Sequence, residues 1–124
     1  MRSLDYILLA VRDPLKSAKL YNKLLSAEPV QSSPGFVLYV LGNGGKIGLW
    51  LADEVEPKPK PAGGAEISFT EPDKATLLAT YDAWKALGLT ILQPPTDMAF
   101  GFTFTAEDPD GHRLRPFVPA ANPR

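Results

Sequence analysis

Hydrophobic and polar positions along the chain follow the patterns of strands and helices in a regular order. A nearly continuous apolar run covers residues 4–11, and Asp13-Pro14 then supplies a helix N-cap followed by proline at the first helical position. Apolar residues recur at helical spacing up to about Ser26. Residues 29–52 hold three short strand-like runs, separated by Ser-Ser-Pro-Gly and Gly-Asn-Gly-Gly. The first half therefore predicts the order βαβββ.

The same order returns in the second half of the chain. Residues 65–70 read as a strand, and Glu71-Pro72 is expected to open a helix that stops at Gly88. Three further strand-like runs follow, over 89–95, 100–107 and 112–119. The helix is expected to turn inward Leu77, Leu78, Tyr81, Trp84 and Leu87.

The chain of 124 residues is long enough for one domain with a hydrophobic core. A stretch rich in proline and charge, Asp-Glu-Val-Glu-Pro-Lys-Pro-Lys-Pro, favours an extended connector between the two repeats. The prediction is thus one α+β domain of two tandem βαβββ modules. Its parts are a module over 1–51, a linker over 52–63, a module over 64–118 and a C-terminal tail over 119–124.

Composition narrows the possible functions. The 13 basic and 14 acidic residues are scattered, so no basic surface for a nucleic acid is expected. No apolar stretch approaches the roughly 20 residues of a membrane span, so we expect a soluble protein without a membrane partner. The absence of cysteine excludes disulfides and thiolate chemistry, and it favours a cytoplasmic location.

The sequence Asp108-Pro109-Asp110-Gly111 before the last strand is typical of a tight turn. After it, period-two alternation puts Arg113, Arg115 and Phe117 on one face of a strand and His112 on the other. His112 is the chain's only histidine, and we interpret it as a corner residue that bonds to nearby backbone. The run Gly-Asn-Gly-Gly-Lys reads as a hairpin turn, not a phosphate-binding loop.

These features together carry a family resemblance. Two βαβββ modules, a first helix containing Leu-Tyr-Asn-Lys-Leu-Leu and a final Asp-Pro-Asp-Gly-His-Arg-Leu-Arg resemble the vicinal oxygen chelate superfamily, which includes glyoxalase I and the bleomycin resistance proteins. The resemblance spans nearly the whole chain. It implies mixed sheets curved around a cavity, and it implies a homodimer, because such chains often close their sheets across a partner.

Metal-dependent members of this superfamily hold a divalent ion with four inward side chains. The resemblance maps those four positions onto Tyr6, Gly48, Glu66 and Arg115. Only Glu66 is a good metal ligand, since glycine has no side chain and an arginine cation would repel the ion. His112 lies on the face opposite Arg115 and does not complete the set. We therefore expect no metal and no other cofactor.

A closer similarity narrows the expected function. Gly-Leu-Trp on a central strand, Glu-Ile-Ser opening the second module and the final Asp-Pro-Asp-Gly-His-Arg-Leu-Arg are similar to phenazine antibiotic resistance proteins. These proteins sequester a planar aromatic drug. The resemblance thus implies a metal-independent protein that binds a hydrophobic or planar aromatic small molecule, with an antibiotic among the candidates.

The expected ligand-binding residues follow from strand parity and from the resemblance. Gly48 and Trp50 share one face, so Trp50 is expected to stack on a flat ligand in the space that Gly48 leaves. Tyr6, Phe102 and Phe104 are expected to add aromatic walls, although aromatic residues in small domains are more often core.

Glu66 and Arg115 complete the expected site. Because neither charge is tolerated alone when it is partly buried, we expect an ion pair between them in place of the metal. Spare N–H groups of Arg115 would remain for an anionic group on the ligand.

Two other classes of function stay open from the sequence. One is an enzyme, either a metal-independent lyase or isomerase with Glu66 or Tyr6 as general base, or a metalloenzyme of the glyoxalase or dioxygenase type. The other is an interaction or regulatory domain that retains only the fold. Elemental analysis for metal and a ligand screen by tryptophan fluorescence would separate these classes.

Overall fold

The computed structural model describes residues 1–121. The final strand runs to Pro119, so the predicted tail over 119–124 begins inside it, and the tail's last three residues lie outside the described part. The elements are β1 (Tyr6–Val11), α1 (Pro14–Leu25), β2 (Gln31–Ser32), β3 (Phe36–Val40), β4 (Lys46–Leu51), β5 (Glu66–Thr70), α2 (Lys74–Ala86), β6 (Thr90–Met98), β7 (Gly101–Glu107) and β8 (Arg113–Pro119).

The chain divides into two compact units, which we call unit 1 (Met1–Lys60) and unit 2 (from Pro61 on). Each unit has the order βαβββ and one mixed sheet, with strand orders β1-β4-β3-β2 and β5-β8-β7-β6. In each sheet the first and last strands of the repeat pair in parallel, and the other neighbours are antiparallel. The predicted fold class is confirmed. One 3₁₀ turn, Ala52–Glu54, opens the predicted linker.

Unit 1 forms its helix where the sequence predicts it. The side chain of Asp13 accepts a hydrogen bond from the backbone N of Lys16 at 3.1 Å, and Pro14 is the first helical residue. Ser26 ends the helix in a left-handed conformation (φ 49°). The helix covers one face of the sheet, and the core between them contains Leu9, Val11, Ala18, Tyr21, Leu24, Val37, Tyr39, Ile47 and Leu49.

Tyr39 joins the sheet of unit 1 to its helix. The side chain is fully buried, and its hydroxyl lies 2.6 Å from Asn22 Oδ1 and 3.2 Å from the carbonyl oxygen of Ala18. A buried hydroxyl needs such acceptors, because desolvation without a hydrogen bond costs free energy. Burial, with a smaller contribution from the negative charge of Glu28, raises the pKa of Tyr39 to about 12.

Unit 2 corrects the predicted start of the second helix. Glu71-Pro72 does not open it, because Asp73 is the N-cap and accepts a hydrogen bond from the backbone N of Thr76 at 2.7 Å. A short aspartate side chain reaches the free N–H groups of the first turn better than glutamate does. At the other end, Gly88 follows the helix with φ 88°, and the predicted stop is confirmed.

An aromatic cluster forms the core of unit 2. Trp84 contacts Phe69 and Phe104 edge-to-face, with ring centroids 5.7 and 5.5 Å apart, and Tyr81 contacts Phe104 at 5.2 Å. The prediction that Trp84 is a core residue is confirmed. Leu78, predicted to face inward, is exposed, since it lies about 100° around the helix from the buried Leu77. Neither described helix is long and apolar enough to cross a membrane.

Replacing Tyr39 with phenylalanine should lower the free energy of unfolding by about 1–2 kcal/mol at neutral pH, because Asn22 and Ala18 lose a buried donor. A raised pKa means that the folded state holds the phenolic proton more tightly than the unfolded state. This contribution is complete below pH 10 and is lost as the pH rises toward 12. Urea unfolding at pH 7, 9 and 11 should therefore show the difference between the two proteins shrinking at the highest pH. A difference that stays constant would contradict the assignment.

Candidate functional site

Each sheet has one face that its own helix does not cover, which we call the helix-free face of that unit. Because side chains alternate along a strand, the register fixes which residues share it. In unit 1 the helix-free face carries Tyr6, Leu8, Ala10, Phe36, Leu38, Val40, Lys46, Gly48 and Trp50.

The helix-free face of unit 1 is largely apolar. Leu8 is 51% exposed, Val40 46% and Tyr6 39%, and Trp50 is half-buried. The ammonium group of Lys46 lies over the ring of Tyr6, 5.6 Å from its centroid. The structure thus brings Tyr6 and Trp50 onto one face of one sheet. They lie on β1 and β4, which are adjacent parallel strands.

Gly48 does not leave an empty space on this face, and that expectation needs correction. A Cβ atom at Gly48 would lie 2.8 Å from Cδ2 of Leu8 and 2.9 Å from Cζ of Phe36. The side chains of these strand neighbours already fill the position. The glycine therefore leaves room for the side chains of Phe36 and Leu8 to pack against the backbone of β4, beside Trp50.

The helix-free face of unit 2 is polar. Register and alternation place on it Glu66, Ser68, Thr70, Gln93, Thr103, Thr105, Glu107, Arg113, Arg115 and Phe117. Phe102 and Phe104 share the opposite parity of β7, and they lie on the face that α2 covers. Phe104 is fully buried against Tyr81 and Trp84, and Phe102 lies under the ammonium group of Lys74. The two rings expected to add aromatic walls to the ligand site therefore lie on the opposite face of this sheet from Arg115.

Glu66 and Arg115 form the ion pair that the sequence predicts. Arg115 Nε donates to Glu66 Oε1 at 2.7 Å and Arg115 Nη2 donates to Oε2 at 3.1 Å, so the contact is bidentate. The side chain of Arg115 is 15% exposed and that of Glu66 is 29% exposed. Arg113 adds a second contact, with Nη2 2.9 Å from Glu66 Oε2.

A polar network holds Arg115 from its other side. Arg115 Nη1 donates to Gln93 Oε1 at 2.9 Å, and the hydroxyl of Thr105 donates to the same oxygen at 3.3 Å. The Arg115 hydrogen bonds are the main reason that the pKa of Glu66 lies below its ordinary value, although partial burial opposes them. Glu66 is therefore a carboxylate at neutral pH.

The last turn fixes where Arg113 and Arg115 point. Asp108 Oδ1 accepts hydrogen bonds from the backbone N of Asp110 and of His112, both at 2.9 Å. The backbone N of Asp108 donates to the carbonyl oxygen of His112 at 2.9 Å, and Gly111 has φ 89°. The backbone of His112 belongs to this corner, and its strand neighbour Leu114 lies in the core, opposite Arg115.

The residues at the four superfamily metal positions do not fit a divalent ion. Both oxygens of Glu66 already accept hydrogen bonds from guanidinium groups, which an ion would have to displace. Tyr6 lies beside a lysine cation, Gly48 has no donor atom and Arg115 is itself cationic. Across residues 1–121 no three or more His, Cys, Asp or Glu side chains group so as to hold a metal.

Sequence reasoning missed two partners in this site. Arg113 lies two residues before Arg115, so strand alternation places both on the same face. The contact of Arg113 with Glu66 could have been predicted from this spacing. Gln93 gives no such signal, because β6 has register irregularities between Ile91 and Thr96. The irregular pairing of β6, which simple alternation does not predict, thus places Gln93 beside Arg115.

Changing Arg115 to methionine should lower the free energy of unfolding by about 1–3 kcal/mol, because Glu66 loses two hydrogen bonds and keeps only Arg113. With Glu66→Gln and the double variant, a double-mutant cycle should give a coupling of about 1–2 kcal/mol at pH 7. Since the pKa of Glu66 is lowered, its stabilising contribution is present above about pH 4.5 and is lost as the pH falls below that. The coupling should therefore be much smaller at pH 3.

The exposed pair Lys74 and Asp97 is the matched control for this cycle. Its atoms are 3.9 Å apart and its side chains are 64% and 79% exposed, so the same cycle with Lys74→Met and Asp97→Asn should give a coupling near zero. A coupling between Glu66 and Arg115 no larger than this control would refute the structural role of the ion pair.

Comparison with known proteins agrees with this architecture. A protein of Agrobacterium tumefaciens with a known solution NMR structure is 46% identical, with a TM-score of 0.90 over 98% of this chain and 100% of that one. A glyoxalase-related enzyme from Fulvimarina pelagi is 20% identical, with a TM-score of 0.84 over 100% of this chain and 96% of that one, and it shares the fold.

Two sequence comparisons identify the family. A phenazine antibiotic resistance protein of Enterobacter agglomerans is 26% identical over 103 residues, which cover 81% of this chain and 79% of that protein. The profile of the glyoxalase/bleomycin resistance protein/dioxygenase superfamily matches residues 3–115. The match runs from the segment before β1 to Arg115 in β8, and the chain belongs to this superfamily.

Proposed function

We propose that the protein binds a planar aromatic small molecule, such as an antibiotic, and holds it without chemical change. The observation that carries the proposal is the helix-free face of unit 1, where Trp50 and Phe36 are directly paired across β3 and β4. Both rings are half-buried, and Tyr6 and Leu8 on the same face are exposed. A flat apolar ligand would remove this surface from water, which is favourable in proportion to the area buried.

The similarity to the phenazine antibiotic resistance protein supports this ligand class. A phenazine is a planar, fused aromatic system, and an aromatic side chain offers it a stacking surface without requiring specific hydrogen bonds. We propose on this basis that the ligand is bound chiefly by stacking and apolar contact. No metal or organic cofactor takes part in the proposed binding.

The chemistry of Glu66 supports binding over proton-transfer catalysis. A general base needs a free lone pair and a pKa near the working pH. Both oxygens of Glu66 accept hydrogen bonds from arginine, and the same hydrogen bonds lower its pKa. Glu66 is therefore a weak base, and we do not propose that it acts as the general base of a lyase or isomerase.

We also propose that the chain forms a homodimer. Leu8, Val40 and Tyr6 form exposed apolar surface on the sheet face that would bind the ligand, and we propose that a partner chain covers the part of this surface around the ligand. A symmetric dimer is the commonest way for a soluble chain to cover it.

Titration with phenazine should quench the fluorescence of Trp50. A Trp84→Phe variant leaves Trp50 as the only tryptophan, and a Trp50→Phe variant leaves only the core residue Trp84. The first variant should show saturable quenching, and the second should show little. Trp50→Ala should weaken phenazine binding, measured by calorimetry, by about 1–3 kcal/mol.

A Leu15→Ala variant is a control for this experiment, because Leu15 is an exposed apolar residue on α1 and not on the helix-free face. Its affinity for phenazine should equal that of the unchanged protein. Absence of saturable binding by the unchanged protein, or equal affinity in Trp50→Ala, would count against the proposal.

Sedimentation equilibrium should give the mass of a dimer, about twice the 13.5 kDa chain mass, at micromolar concentration. A Leu8→Glu variant should shift the equilibrium to monomer by placing a charge on the apolar face, whereas Leu78→Glu on the exposed side of α2 should not. A monomeric mass for the unchanged protein would overturn the proposed dimer.

A further inference from the structure

The two arginines on the helix-free face of unit 2 offer more hydrogen-bond donors than the protein accepts. In the described part of the chain, Arg115 donates from Nε and Nη2 to Glu66 and from Nη1 to Gln93 and the Met98 sulfur, which leaves one N–H group on Nη2. Arg113 contacts Glu66 through Nη2 alone. Within residues 1–121, Nε of Arg113 is buried without a hydrogen-bond partner. Each guanidinium carries further N–H groups on its Nη atoms, so this face has donors to spare.

The charged side chains that contact one another on this face also favour an anion, because together they carry a net positive charge. Two guanidinium cations contact one carboxylate, which leaves one positive charge in excess in the contacting group. Glu107 is the Cα partner of Arg113 on β7, and the part of the chain that the structure describes shows no ion pair between them. The excess is therefore reduced by a neighbour but not cancelled by direct contact.

Aromatic and hydroxyl groups flank the two arginines. The guanidinium carbon of Arg115 lies 5.8 Å from the centroid of the Phe100 ring, which contacts Phe117 edge-to-face at 6.0 Å. Phe117 lies two residues beyond Arg115 on the same face, a rise of about 7 Å along the strand. On the other side, the exposed Ser68 is the Cα partner of Arg115.

We propose that the helix-free face of unit 2 binds an aromatic carboxylate, with the carboxylate on the spare N–H groups of Arg113 and Arg115 and the ring toward Phe117. A carboxylate matches this face better than a phosphate does, because it is planar like the guanidinium fork and carries one negative charge. Ser68 is placed to donate an additional hydrogen bond. Every residue of this proposed site belongs to unit 2, whereas the residues of the proposed stacking on Trp50 belong to unit 1.

Benzoate and benzamide are a matched pair of probes, since they share the ring and differ in charge. We would follow the side-chain Nε–Hε signals of Arg113 and Arg115 by ¹H–¹⁵N NMR at constant ionic strength. Benzoate should cause saturable shifts at both signals at millimolar concentration, whereas benzamide should cause none. Equal shifts with both probes, no saturable shift with benzoate, or tighter binding of inorganic phosphate would each overturn the proposal.

Charge variants test which residues hold the anion. Arg113→Gln should weaken benzoate binding by about fivefold or more, and Arg113→Lys should have an intermediate effect because it keeps the charge and loses the fork. Glu107→Gln should strengthen binding, as it removes the neighbouring negative charge. Lys58→Gln, which removes an exposed positive charge in the connector, should leave the affinity unchanged.

The outcomes separate this inference from the proposed function. Benzoate affinity that is unchanged in Arg113→Gln overturns the carboxylate site, whatever phenazine does. Conversely, the inference survives a failure of phenazine to bind, because the NMR shifts report on unit 2 without Trp50.

Discussion

Each four-stranded sheet in this protein is covered by a single helix, and a helix can bury only one face of its sheet. The buried face must therefore be apolar, and it is filled by Tyr39 and its neighbours in unit 1 and by Trp84 and Phe104 in unit 2. The other face is released from this requirement. Each strand thus carries apolar core residues on one face and, on the other, residues that need not be apolar.

The two units use that freedom in opposite ways. Tyr6 opposite Lys46 in unit 1 occupies the place that Glu66 opposite Arg113 occupies in unit 2. Two residues along the strand, Gly48 stands where unit 2 has Arg115. The same arrangement of strands and helix therefore displays aromatic and aliphatic side chains on the helix-free face of unit 1 and a hydrogen-bonded ionic network on that of unit 2.

The order of strands and helices along the chain, the position of the first helix and the Glu66–Arg115 pair could be predicted because they depend on local patterns and on alternation. The predictions that went wrong depend on contacts between strands. Phe102 was expected to add an aromatic wall to the site, and its pairing with Val118 on β8 shows that it lies on the face that α2 covers. Gly48 looked like a gap because a sequence does not show that Phe36 and Leu8 lie across it.

The corner at Asp108 has a consequence for how this chain tolerates change. A loop on a protein surface usually accepts insertions and deletions. In this loop the two hydrogen bonds to Asp108 Oδ1 fix the register between β7 and β8. Adding or removing one residue there would turn Arg115 toward the core and Leu114 toward water. A change in the length of this turn should therefore be tolerated as poorly as a substitution in the hydrophobic core, although no residue of the turn belongs to either proposed ligand site.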